Sequence, residues 1–155
     1  MADNLQAELK QTKPFPNAAA EALLSVLRTA SVLEHQMNEK LKPYGMTHTQ
    51  YNVLRILRGA GESGLCGREV GERMVSRVPD VSRLLDRMEE AELISRERDP
   101  GDRRHVTARI TRKGLAMLEQ VTPQLEAVGR ARVGQVPTAR LRQLIEVLNT
   151  VRGNS

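Results

Sequence analysis

Two short strand-like runs joined by a tight turn, placed directly after a helical segment, constrain the fold of this chain more than any other feature. The runs cover residues 94–98 and 106–110 and flank the sequence Asp99-Pro100-Gly101-Asp102. Asp, Pro and Gly in this order favour a reversal of the chain. The pattern therefore predicts a β-hairpin immediately behind a helix.

Aromatic side chains are almost absent from the rest of the sequence. Phe15, Tyr44 and Tyr51 are the only ones among 155 residues, and there is no Trp. The core must therefore be built from Leu, Val, Ile, Met and Ala, a composition that favours helices. The length suits one domain, and 39% hydrophobic with 28% charged residues is ordinary for a globular protein.

Apolar residues at spacings of three and four predict two helices in the first part of the chain. The first covers residues 18–41, and Pro43 follows its end. Thr47 and Gln50 have the spacing of a capping box and predict the start of a second helix, which reaches residue 58.

Two further helices are predicted before the hairpin. The third is short and covers residues 68–74, and Pro79 is expected at the first position of the fourth. The fourth helix has a packing face and a presented face. Its apolar positions are Val81, Leu84, Leu85 and Met88, and its polar positions are Ser82, Arg83, Asp86 and Arg87.

Two helices are predicted after the hairpin. Thr111 can cap the fifth helix, which contains Pro123 as a kink, and Pro137 with Thr138 opens the sixth. The chain is thus predicted to be mainly α, with six helices and a small β-hairpin wing. A helix, a turn, a second helix and a hairpin in this order are typical of a winged helix-turn-helix.

The charge balance favours a polyanionic partner. The net charge is +5, and 19 of the 24 basic residues are Arg, whose planar group suits phosphates and guanine edges. Residues 66–114 hold 12 basic and 10 acidic side chains, so binding must depend on where the charges lie. The second helix of such a motif fits a major groove, and a basic hairpin tip at Arg103 and Arg104 can reach a minor groove.

Residues 41–114 resemble the MarR (multiple antibiotic resistance) family of regulators. The resemblance is carried by the segments 81–89 (VSRLLDRME), 99–104 (DPGDRR) and 110–114 (ITRKG). It implies a homodimer whose N- and C-terminal helices interleave and hold two winged domains over a pseudo-palindromic operator in double-stranded DNA. It further implies that Arg104 inserts into the minor groove, that Asp102 orients it, and that Arg83 contacts the major groove.

The chain is accordingly divided into four parts. These are a flexible N-terminal arm (1–16), an N-terminal dimerisation helix (17–42), a winged helix-turn-helix DNA-binding domain (43–112) and C-terminal dimerisation helices (113–155). The DNA-binding residues are predicted to be Arg77, Asp80, Val81, Ser82, Arg83, Arg87, Asp102, Arg103, Arg104 and Lys113.

Several of these residues have a structural alternative. Arg87 could pair with Asp86 or Glu90 on its own helix. Arg104 could form a salt bridge with Asp99 or Asp102 that merely stiffens the wing. Asp80 could accept a hydrogen bond from a cytosine amino group or act only as a charge at the helix N-terminus. Arg112 and Lys113 could contact phosphate or serve solubility alone.

One departure from the family concerns the end of the fourth helix. The family commonly has Gly where this chain has Glu92. A helix end made without Gly costs roughly 1 kcal/mol, so a shifted helix end is expected here.

The resemblance also implies a crevice for a small-molecule effector between the dimer helices and each winged lobe. The candidates to line it are Met37, Tyr44, His48, Tyr51 and Arg55, each of which could instead belong to the core or surface. His48 and Arg55 would be the polar anchors for a phenolic or carboxylate ligand.

No catalytic, metal or cofactor motif is apparent. His35, His48 and His105 lie far apart without zinc-type spacing, so neither a metal nor a cofactor nor enzymatic activity is expected. Cys66 cannot form an internal disulfide, and it is interpreted as a small structural residue, with a redox sensor as the alternative. No segment suggests a signal peptide or membrane span, so the protein is expected in the cytoplasm. The resemblance to the MarR family implies that it is bacterial.

These observations predict a dimeric, sequence-specific transcription regulator. The expected action is that of a repressor released by a small aromatic or phenolic effector. The alternative is a winged-helix module for non-specific DNA packaging or for protein contacts.

Overall fold

The computed structural model describes residues 5–154, which form seven α-helices and three strands. The elements are α1 (Leu5–Glu8), α2 (Ala18–Leu41), α3 (His48–Ala60), β1 (Leu65–Cys66), α4 (Gly67–Arg73), α5 (Val81–Glu90), β2 (Ile94–Arg98), β3 (Val106–Ile110), α6 (Arg112–Arg132) and α7 (Thr138–Val151). Short 3-10 turns follow α2 (Lys42–Tyr44) and α3 (Gly61–Ser63). The six predicted helices correspond to α2–α7, and the mainly α architecture with a small wing is confirmed.

The strands form one antiparallel sheet in the order β1-β3-β2. Ile94 pairs with Ile110 and Arg98 pairs with Val106, so the hairpin has the predicted extent. β1 pairs Leu65 with Ala108 on the other side of β3. The sequence did not predict β1, because two residues are too few to show an alternation of apolar and polar side chains.

The helix starts depend on side-chain caps. The predicted capping box is present: Gln50 N–H donates to Thr47 Oγ1 at 3.2 Å, and Thr47 N–H donates to Gln50 Oε1 at 3.1 Å. The prediction that Pro79 occupies the first position of α5 is wrong. Asp80 Oδ1 accepts from Arg83 N–H at 3.0 Å and makes Asp80 the N-cap, so Pro79 lies outside the helix.

The segment predicted to be an arm contains α1. Leu5 is buried, and Glu8 lies 3.8 Å from Arg28 on α2. Residues 1–4 of that segment lie outside the described residues. The described part of the predicted arm thus includes a helical turn that contacts α2.

The core is aliphatic, as the composition predicts. It lies between α3, α5, the sheet and the first half of α6, with the end of α2 above it. Its largest fully buried side chains are Leu41, Leu54, Leu57, Met88, Ile94 and Leu118. Tyr51 is the one aromatic residue among the buried residues that the structure describes.

Among residues 5–154, no helix is long and apolar enough to cross a bilayer. In the same part of the chain, no three His, Cys, Asp or Glu side chains come together as a metal site would require.

Candidate nucleic-acid interface

The helix-turn-helix consists of α4, the loop 74–80 and α5. At the turn, Val75 N–H donates to Asn52 Oδ1 on α3 at 2.8 Å, which fastens the loop to the core. Gly71 lets the two helices approach, since a Cβ at this position would lie 3.1 Å from Val81 Cγ2. The start of α5 is therefore held at a fixed angle to α4.

The two faces of α5 are as the sequence predicts. Leu85 and Met88 are buried, whereas Ser82, Arg83 and Arg87 are exposed. The alternative pairing of Arg87 with Asp86 or Glu90 is not formed. Neither the Arg83 nor the Arg87 guanidinium has a partner among the described residues, so both can accept an external anion.

Arg96 on β2 joins the wing to α5, a role that the sequence did not reveal. Its Nη2 donates to Asp86 Oδ1 and, at 3.1 Å, to Glu89 Oε1. Burial lowers the pKa of Arg96, but the hydrogen bonds and charges of the two carboxylates outweigh it, so the pKa is raised. The charges of Asp86 and Glu89 on α5 are thereby partly neutralised by a residue of the wing strand β2.

Hydrogen bonds within the wing tip fix its shape. Asp99 N–H donates to His105 O at 2.9 Å, and Arg98 Nη1 donates to Arg103 O at 2.8 Å. Asp102 Oδ1 accepts from the backbone N–H of Arg104 at 3.0 Å. The alternative salt bridge of Arg104 to Asp99 or Asp102 is not formed, and the Arg104 side chain has no partner within residues 5–154.

A cleft of about 400 Å³ separates α5 from the wing. Ser82 borders it from the helix, and Arg104 and His105 border it from the wing. Arg68 of α4, Cys66 and Arg96 of β2 also line it. A concave surface lined by three arginines and a histidine is suited to a phosphate backbone.

Cys66 is the N-cap residue of α4 and contacts Glu69 within that helix. Its N–H donates to Glu69 Oε2 at 2.9 Å. Hydrogen bonds from Cys66, above all from its backbone, lower the pKa of the Glu69 carboxyl.

The end of α5 differs from the expectation. Leu93 N–H donates to Met88 O at 3.0 Å, and Glu92 itself takes the left-handed conformation at φ 61°. The helix end is therefore not shifted. Thr111 Oγ1 donates to Glu92 O at 2.7 Å, and Lys113 Nζ lies 3.7 Å from Glu92 Oε2, which helps to hold the strained residue.

Three of the predicted effector residues come together on α3. Arg55 Nη1 donates to the Tyr51 hydroxyl at 3.1 Å, and the rings of His48 and Tyr51 stack with centroids 6.1 Å apart. The hydrogen bond to Tyr51 raises the pKa of Arg55. Glu34 on α2, which no sequence pattern indicated, lies 3.1 Å from His48 Nδ1.

The other two effector candidates contribute mainly to packing. Met37 and Tyr44 are half-buried against the hydrophobic core. Of the remaining predicted DNA-binding residues, Arg77 is exposed in the loop before α5, Val81 is half-buried at the start of α5, and Arg103 is exposed at the wing tip.

The fold and this surface define a winged helix-turn-helix protein with two cationic elements on one side. Residues 44–105 match the model of the MarR family. Across 125 residues the chain is 26% identical to the HTH-type transcriptional regulator MhqR of Bacillus subtilis (strain 168), covering 81% of this chain and 84% of that protein. The predicted resemblance to the MarR family is thus confirmed over the winged helix-turn-helix, and this relative is a transcription regulator.

Two solved structures share the whole fold. Sco3205 of Streptomyces coelicolor, a MarR family regulator in complex with DNA, has a TM-score of 0.76 at 24% identity and covers 92% of this chain and 91% of that one. CouR of Rhodococcus jostii RHA1, bound to p-coumaroyl-CoA, has a TM-score of 0.71 at 22% identity, with coverages of 88% and 95%.

Proposed function

We propose that this protein is a dimeric repressor that reads a pseudo-palindromic operator. In each protomer α5 enters the major groove and Arg83 contacts a base edge. The wing follows the backbone, and Arg104 enters the neighbouring minor groove. Sco3205, which shares the fold, is a DNA complex, and this supports the same mode of binding here.

The observation that carries the proposal is a pair of arginines with no partner inside the described chain. Arg83 lies in the first turn of α5, whose N-terminal residues are the ones that reach base edges in a helix-turn-helix. Arg104 projects from a wing tip whose backbone is fixed by Asp102. Unpaired, exposed arginines on two rigid elements are suited to direct readout and to a narrow minor groove.

The remaining basic residues are assigned to phosphates, which position the protein without reading sequence. Arg77 precedes α5, Arg87 lies one turn beyond Arg83, and Arg103 lies beside the minor-groove arginine. Lys113 lies at the start of α6, although Glu92 is 3.7 Å away. Ser82 and Val81 are assigned to the edge of the groove, and Asp80 to capping α5 through Oδ1.

The dimer is proposed to form through α2 and α7. No residue of α7 is buried, and its apolar side chains Leu144, Ile145, Val147 and Val151 are exposed. Leu23 and Leu27 on α2 are 57% and 58% exposed. A groove between these helices, lined by Val32, Leu33, Val133, Leu141, Leu144 and Leu148, continues the apolar surface. Contiguous apolar surface of this kind marks an interface.

The effector is proposed to be a small aromatic carboxylate or phenol held by His48, Tyr51 and Arg55. Arg55 already presents a cation beside the Tyr51 ring, with its guanidinium carbon 5.9 Å from the ring centroid. CouR, of the same fold, binds the aromatic ligand p-coumaroyl-CoA, which supports an aromatic effector. A phenolic carboxylate should then raise the unfolding temperature of the natural protein and not that of Arg55→Met, whereas equal shifts would place the ligand elsewhere.

The test of the DNA assignment compares Arg83→Ala with Arg104→Ala on the operator and on duplexes changed at single base pairs. Arg83→Ala should abolish discrimination at one position in each half-site, worth about 1–3 kcal/mol. Arg104→Ala should lower affinity for all these duplexes. If Arg83→Ala weakens every duplex equally, Arg83 contacts only phosphate and the assignment is wrong.

The same measurements distinguish a regulator from a packaging module. A packaging or protein-contact module would bind operator and scrambled duplex alike, and neither arginine would alter a preference. Because a regulator must reach the chromosome, the proposal also places the protein in the bacterial cytoplasm.

A further inference from the structure

The acidic side chains of α5 pose an electrostatic problem that the proposed reading by Arg83 has to overcome. Asp86 lies three residues after Arg83, the spacing at which an aspartate and an arginine pair on a helix surface. Such a pair would hold the Arg83 guanidinium against its own helix. A carboxylate left unpaired in this position would also repel DNA phosphates.

Arg96 captures this aspartate from another element. It reaches from β2 to both Asp86 and Glu89, and Asp86 is thereby engaged away from Arg83. The Arg96 side chain is only 21% exposed, while Asp86 and Glu89 are 58% and 42% exposed. The Arg96 guanidinium is therefore mostly buried, whereas the Asp86 and Glu89 carboxylates that it binds are exposed to solvent.

A fork-shaped cation is suited to this task. Asp86 and Glu89 are three residues apart and of like charge, so they repel each other unless a cation lies between them. A guanidinium can donate to two carboxylates at once, whereas an ammonium acts as a point charge. The Arg83 side chain has no partner among the described residues, as expected if Asp86 is already engaged.

We infer that Arg96 is a positioning residue for DNA reading, which sequesters Asp86 and so keeps Arg83 available to the major groove. The inference rests on the proposed function, because it presupposes that Arg83 reads a base. It adds that specificity at that base depends on a residue of the wing strand whose guanidinium is held by two carboxylates of α5. It also couples the two DNA-contacting elements, since the same contact joins β2 to α5.

The variants that test it are Arg96→Met, which keeps the stem and removes the charge, and the double variant Arg96→Met with Asp86→Asn. Arg96→Met releases Asp86 onto Arg83 and should reduce discrimination at the Arg83 base pair about tenfold, within the range for one good base contact. The double variant should recover discrimination to within about threefold of the natural protein. Arg96→Lys should retain part of it.

A matched control is Arg96→Met combined with Glu90→Gln. This protein has the same net charge as the rescued double variant, but Glu90 has no contact with Arg96 among the described residues. Rescue by Asp86→Asn and not by Glu90→Gln supports sequestration. Equal rescue by both substitutions overturns it, because a general effect of net charge would then explain the result. Rescue by neither also overturns it, because Arg96 would then have a purely structural role.

Asp86→Asn alone, at an exposed residue, guards against a variant that fails to fold. With Arg96 intact it should keep full discrimination, whereas a loss would mean that Asp86 itself reads a base and would overturn the inference. Failure of the proposed function is recognised separately. If the proposed function is wrong, the natural protein shows no preference for the operator, or Arg83→Ala leaves that preference unchanged. If only the present inference is wrong, the natural protein prefers the operator and Arg83→Ala removes the preference, but Arg96→Met has no effect on it.

Discussion

Replacing Gly114 by Ala should destabilise the protein strongly, because α6 begins against the turn that follows α5. A Cβ at residue 114 would lie 2.2 Å from Leu93 O and 2.8 Å from Ile110 Cγ1. Ordinary contact begins at 3.4 Å, so the backbone on the two sides must separate by about 1.2 Å. The partner on one side is a carbonyl oxygen, which cannot rotate away as a side chain does.

The cost follows from what that separation disturbs. Overpacking a tight site costs about 1–3 kcal/mol. Two hydrogen bonds of Thr111 cross the same junction, to Leu93 O at 3.1 Å and to Glu92 O at 2.7 Å, and Thr111 also caps α6 by accepting from Gly114 N–H at 3.0 Å. Each contributes about 0.5–1.5 kcal/mol, and partial loss is enough for a total destabilisation of about 3 kcal/mol.

Urea denaturation of Gly114→Ala and of Gly129→Ala, at one protein concentration, measures this effect. Gly129 lies in the same helix with nothing within 4 Å of its Cβ position, so Ala should stabilise α6 there by about 0.5–1 kcal/mol. Gly114→Ala should lower the free energy of unfolding and Gly129→Ala should raise it. A Gly114→Ala protein as stable as the natural one would refute the argument from close approach.

Three further predictions concern the turn, the cap of α4 and the dimer. Glu92→Gly should stabilise the protein by about 0.5–1 kcal/mol in thermal unfolding, because it relieves a left-handed non-glycine residue and removes only an exposed ion pair. A decrease in stability would mean that the ion pair with Lys113 matters more than the backbone strain. The pKa of Glu69 is lowered in the folded state, so its stabilisation is present above its unfolded pKa of about 4.3 and is lost as the pH falls through the lower folded value. The difference in urea midpoint between the natural protein and Glu69→Gln should accordingly be clear at neutral pH and vanish in acid, and an unchanged difference would contradict the assignment. A chain that lacks residues 137–155 should be monomeric or insoluble in sedimentation experiments; a tight dimer would show that α7 is not the interface.

Much of the fold could be predicted because it depends on local signals. The limits of α2, β2 and β3 follow from apolar periodicity and from the turn at Asp99-Pro100-Gly101-Asp102. Caps at Thr47 and Thr111 also depend on residues within three positions along the chain. Such features need no knowledge of tertiary structure.

The features that could not be predicted from the sequence depend on contacts between residues far apart in the chain, or on which of two neighbouring residues caps a helix. β1 is a strand only because β3 lies beside it. Arg96 acquires its role from Asp86, ten residues earlier. α5 begins after Asp80 and not at Pro79, because the Asp80 carboxylate accepts a hydrogen bond from the backbone N–H of Arg83 and so caps the helix.

The most direct test of the central claim is fluorescence anisotropy of the purified protein with its own upstream DNA and with a scrambled duplex, at near-physiological salt. The account predicts a preference of about a thousandfold or more for the upstream DNA, as operator-reading regulators show. It also predicts an affinity that falls steeply with added salt, because phosphate contacts release counterions. Equal, weak binding to both duplexes would contradict operator reading and favour the packaging module.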